Sequence, residues 1–152
     1  TQNNAYSLEG IFITHAHIGH YTGLQFLGRE AMGAKEQVVY ALPKMNEYLT
    51  NNGPWSQLVK LKNILIEPIS FENNIELENK IKVKAIEVVH RNEFSETAAY
   101  RIESKNKKAL FSSTILSISI LLIFSSKRII LLVVFQKRSA RTQKKKTNLS
   151  NS

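Results

Sequence analysis

The sequence contains no cysteine, and among its twelve acidic residues there is no aspartate: every carboxylate is a glutamate. The first absence excludes disulfides, thiolate zinc sites and a cysteine nucleophile, and it leaves the redox compartment open. The second takes the short carboxylate away from any metal site the chain builds. Acid of any kind is missing beyond residue 108: residues 1–108 hold 13 Lys/Arg against 12 Glu, whereas residues 109–152 hold eight Lys/Arg and no acid. The formal charge of +9 therefore belongs to the C-terminal end and does not describe a basic domain. No repeat of 20–50 residues is present, which excludes a solenoid or propeller. No charged-then-apolar leader opens the chain, which begins Thr-Gln-Asn-Asn and reads as a fragment. At 152 residues it has room for one domain with its own core.

Within residues 1–111 strand and helix patterns alternate. The apolar, β-branched run Leu8–Thr14 reads as a buried strand with His15 directly behind it. Leu24, Phe26, Leu27, Ala31 and Met32 recur at near-helical spacing between Gly23 and Gly33, which predicts a short helix stopped by Gly33. Val38–Leu42 reads as a strand. Pro43 suits the first position of a helix that presents Met45, Tyr48 and Leu49 on one face and breaks at Gly53-Pro54, with Trp55 as a packing anchor under the loop. Ile64–Ile69 is a further apolar run. From Ile75 to Ala85 apolar and charged residues alternate about Asn79-Lys80, a hairpin with one wet face, whose second arm runs on to deliver His90. Ala98–Ile102 and Lys108–Phe111 predict another strand pair across Ser104–Lys107. The fold class is α/β.

Three of the four histidines lie within six residues, His15-Ala16-His17-Ile18-Gly19-His20, at the mouth of a strand, and the fourth, His90, follows another strand. Imidazoles on an open loop can converge on a divalent cation, and neutral imidazole suits zinc. Three histidines and a free position for water make a catalytic zinc arrangement, in which the bound water's pKa falls to about 7.

The stretch Ile13-Thr14-His15-Ala16-His17-Ile18-Gly19-His20-Tyr21-Thr22-Gly23-Leu24 resembles the histidine loop of the metallo-β-lactamase fold, usually His-x-His-x-Asp-His. Tyr40–Pro43, Asn52–Leu58 and Val89–Thr97 are similar, in the right order, to the branch around the pyrroloquinoline quinone biosynthesis protein B. The resemblance covers about residues 8–111. It implies a partial αββα sandwich, with a mixed sheet and flanking helices, and a metal-dependent hydrolase that uses metal-bound hydroxide on an ester, lactone, amide or phosphoester of a small molecule. Carried over residue by residue, it gives His15, His17 and His90 to one metal and His20 to a second site or an outer position. Gly19 stands where the neighbouring aspartate belongs, and neither a bridging Asp after Leu110-Phe111 nor a later His is present. One zinc ion is therefore expected rather than two. Glu93, Glu96 and Tyr21 are the candidates to support it from behind or to line its pocket. With its site incomplete, the chain could also be an inactive fragment that binds metal without turnover.

Residues 112–135 form a Ser/Ile/Leu-rich segment and 136–152 a basic tail expected to be disordered. From Ala109 to Phe135 the only charges are Lys127 and Arg128, so hydropathy permits a membrane span, against which stand its serines and its β-branched residues. The competing reading is a non-native end from a frameshift, intron or degraded gene, which would leave the sandwich without its second half and apolar strand faces uncovered. A true span would place the chain at a membrane, and a soluble chain in the cytoplasm. Lys137, Arg138, Arg141 and Lys144–Lys146 have no interleaved aromatic, so their binding to polyanions would be nonspecific and no specific nucleic acid is expected.

Overall fold

The computed structural model describes residues 7–112, 121–125 and 128–132, and in them nine strands form two sheets. β1 (Ser7–Phe12), β2 (Gln37–Ala41) and β3 (Ile64–Pro68) run parallel, and the sheet continues on the other side of β1 through β9 (Arg128–Leu132) and β8 (Leu121–Ser125) in the order β3-β2-β1-β9-β8. The second sheet is an antiparallel meander of β4 (Asn74–Leu77), β5 (Ile81–Glu87), β6 (Ala98–Glu103) and β7 (Lys108–Phe111). Two helices, α1 (Pro43–Asn51) and α2 (Trp55–Lys60), complete the mixed α/β architecture, in accord with a partial αββα sandwich.

The sequence pattern explains the layering. β1 and β2 are apolar on both faces because both are covered. Ile11 and Val39 pack towards Met45, Leu49, Trp55 and Leu58 of the helices, while Phe12 packs towards Val83, Tyr100 and Phe111 of the second sheet. Burial of each large apolar side chain contributes about 1.5–3 kcal/mol, so the two cores hold the central sheet from both sides. The meander alternates instead: Ile81, Val83 and Ala85 point inward, and exposed Lys82 and Arg101 occupy the other face. At one point the neighbouring strands β1 and β2 come unusually close. Tyr40 lies over Gly10 and stacks on Phe12 with ring centroids 4.3 Å apart, and a Cβ on Gly10 would fall 2.5 Å from Tyr40 Cε2.

Several expectations change. The stretch between Gly23 and Gly33 is a 3₁₀ segment, Thr22–Leu27, followed by tight turns, and not an α-helix. Leu24 and Leu27 are buried while Phe26 and Met32 are exposed, a three-residue period that suits a 3₁₀ turn. Trp55 opens α2 and is buried as a packing anchor, edge-on to Tyr21. β5 ends at Glu87, leaving His90 on a loop three residues further on. β8 and β9 fall within residues 112–135, so backbone from that segment joins the first sheet, and both sheets of the sandwich are present. Among the described residues no helix is long and apolar enough to cross a membrane. The basic tail 136–152 lies outside the described residues.

Candidate metal centre

The end of β1 and the loop between β5 and β6 meet at one rim of the sandwich. The Ala98 amide donates to the Thr14 carbonyl (2.9 Å), and the Tyr100 hydroxyl donates to the Ile13 carbonyl (2.6 Å). Thr97 Oγ1 donates to Asn92 Oδ1 and the Thr97 carbonyl accepts the Val88 amide, closing the loop on itself. This junction gathers Thr14, His15, Ser95 and Thr97, four of the five buried polar residues among those described.

Three histidines converge there. One ring nitrogen from each of His15, His17 and His90 lies within 4.8 Å of the others. The His17 Nδ1 to His90 Nε2 separation is 3.3 Å. Two nitrogens each about 2.0–2.1 Å from a shared tetrahedral ion are about 3.3–3.4 Å apart, so the pair is spaced as ligands of one cation. His15 Nδ1 faces Thr14 Oγ1 at 3.0 Å, and its buried Nε2 has no hydrogen-bond partner. The Glu93 carboxylate accepts the Nε2–H of His17 at 2.5 Å, and His17 Nδ1 faces His90. The residues fit a divalent metal.

Electrostatics favour the unprotonated rings. Burial, and then the neighbouring imidazoles of His20, His17 and His90, hold His15 down at about 3. Burial followed by His17 and His90 lowers His20, and burial followed by His17 and Arg91 lowers His90. The hydrogen bond from His17 lowers Glu93 and keeps it anionic.

The other expected site residues are placed differently. His20 lies against His15, ring centroids 4.3 Å apart, but is not one of the three converging ligands, and its buried Nδ1 has no partner. Glu96 turns to α1 and accepts the Lys44 amide through both carboxylate oxygens, 3.2 and 3.1 Å. Tyr21 belongs to the helix-side core, with its ring edge-on to Trp55 and its hydroxyl 2.8 Å from that of Tyr48. Burial and this hydrogen bond raise it to about 12. Thr14 and Ser95 are residues of the site that the sequence pattern did not mark; the adjacency of Thr14 to His15 was the only available signal.

A fold of two packed sheets with a histidine cluster at the strand ends defines a metal-binding α/β sandwich. A family model described as "Beta-lactamase superfamily domain" matches residues 2–116, and the chain belongs to that superfamily. No curated protein matches the chain.

Proposed function

We propose that the chain is a metal-dependent hydrolase whose single zinc ion is held by His15, His17 and His90, acting on an ester, lactone, amide or phosphoester bond of a small molecule. The observation that carries this reading is the convergence of one ring nitrogen from each of His15, His17 and His90, with the buried His15 Nε2 left without a hydrogen-bond partner. A zinc ion held there supplies a Lewis acid and brings the pKa of a bound water down to about 7. The protein's part is to hold three imidazoles in place: Thr14 Oγ1 lies 3.0 Å from His15 Nδ1, and the Glu93 carboxylate accepts the Nε2–H of His17. His20 Nδ1, buried and unpartnered beside His15, is the atom placed to accept a proton. The residues assigned to this site all lie within the partial domain 1–111. The resemblance of stretches 40–43, 52–58 and 89–97 supports a place near the branch around the pyrroloquinoline quinone biosynthesis protein B.

A second reading, metal binding without turnover, is favoured by Gly19 and by the absence of aspartate, since no short carboxylate flanks His20. Elemental analysis of the purified chain beside His90→Ala, with a panel of ester, lactone, amide and phosphoester substrates, tests both. One zinc per chain, lost in the variant, is expected. Turnover supports the hydrolase, zinc without turnover supports the second reading, and a zinc-free parent chain rejects both.

A further inference from the structure

Ser95 is buried, 3% exposed, and its hydroxyl makes two hydrogen bonds: it accepts the Ala16 amide at 2.8 Å and donates to the Glu96 carbonyl at 2.9 Å. The first bond is the informative one. Ala16 is the single residue between His15 and His17, it lies beyond the end of β1, and it is itself buried. An amide so placed has no strand partner, and without Ser95 it would be a buried donor with nothing to bond. The acceptor comes from the loop that also carries His90 and the Glu93 carboxylate on His17.

One hydroxyl thus ties the backbone between the first two histidines to the loop that supplies the third. The neighbouring cross-links, Ala98 to Thr14 and Tyr100 to Ile13, hold the end of β1 whether or not Ser95 is present. Loss of the hydroxyl would therefore free the histidine loop locally and leave the sandwich assembled.

We propose that Ser95 is a positioning residue of the metal centre: by accepting the Ala16 amide it holds His15 and His17 in the register at which both meet His90. The inference rests on the three-histidine reading above. It makes the site a product of two chain segments 79 positions apart, locked by a residue that touches no metal.

The test uses the full chain with Ser95→Ala, Ser95→Thr and Ile102→Val, the last an inter-sheet core change far from the loop. Zinc affinity is read by chelator competition, cobalt substitution by its visible ligand-field spectrum, and fold by thermal unfolding of the metal-free protein. Expected are a loss of zinc affinity of about tenfold or more in S95A, an altered cobalt spectrum, and restoration of both in S95T. Wild-type affinity and spectrum in S95A would overturn the proposal, and so would an equal loss of affinity in I102V at matched thermal stability. Should S95A not fold, Ser95→Cys, similar in size but a weaker acceptor, is read in the same way. A wild-type chain that binds no zinc overturns the metal reading itself, which separates the two failures.

Discussion

Glu93 reaches His17 through Nε2 and leaves Nδ1 facing His90, so the carboxylate sets which nitrogen is turned to the other histidines. Glu93→Gln keeps the size and an acceptor oxygen but loses the charge, and zinc affinity is expected to fall about tenfold, measurable by chelator competition. An unchanged affinity would remove Glu93 from the site. Residues of this kind were only partly legible in the sequence. His15 and His17 announce themselves because they sit two apart at a strand end, and Glu93 because it lies three residues from His90. Ser95 and Thr14 carry no such mark, since an isolated hydroxyl is common and the contact that gives Ser95 meaning spans 79 positions. Glu96 was misplaced for a related reason. Nearness to His90 in sequence suggested the metal, whereas in space its carboxylate accepts the Lys44 amide in the first turn of α1.

The elements that read well are those whose residues alternate. β4, β5 and β7 follow the period-two pattern of buried and exposed side chains, β6 does so only from Tyr100 onward, and α1 follows Pro43 with Met45 and Leu49 one turn apart on the buried face. The 3₁₀ segment did not read correctly, because glycines at 23, 28 and 33 interrupt a spacing that would otherwise pass for α-helix. The approach of β2 to β1 was hidden as well, since a lone glycine in a strand does not say what covers it. Gly10→Ala tests that approach. Its Cβ would displace Tyr40 from its stack on Phe12, and a destabilisation of about 1–3 kcal/mol is expected in urea unfolding of the metal-free protein. No change in the unfolding midpoint would mean that the two strands separate freely.

At the scale of the molecule, two cores share one sheet, and each contains a tyrosine whose phenol is harder to ionise than in water. Burial and the Tyr48 hydrogen bond raise Tyr21 to about 12, and burial alone raises Tyr100 further. The unfolded chain releases these protons first, near the ordinary value of 10.0, so stability is complete below about 10 and declines as pH rises towards about 12. Tyr21→Phe should flatten that decline in urea titrations across this range, and an unchanged slope would place the loss elsewhere. The division into layers was legible from composition because residues 8–111 carry both cores. What the apolar segment after 111 does was not, since β-branched residues serve a strand and a membrane span alike. The loop between β5 and β6 also joins parts of the molecule that seem unrelated. It grips the amide end of α1 through Glu96 while presenting His90 to the metal cluster, so ligation and helix fraying draw on the same loop conformations. Zinc should therefore slow hydrogen exchange at the Lys44 amide, even though Lys44 is not a ligand, and Glu96→Gln should weaken that protection.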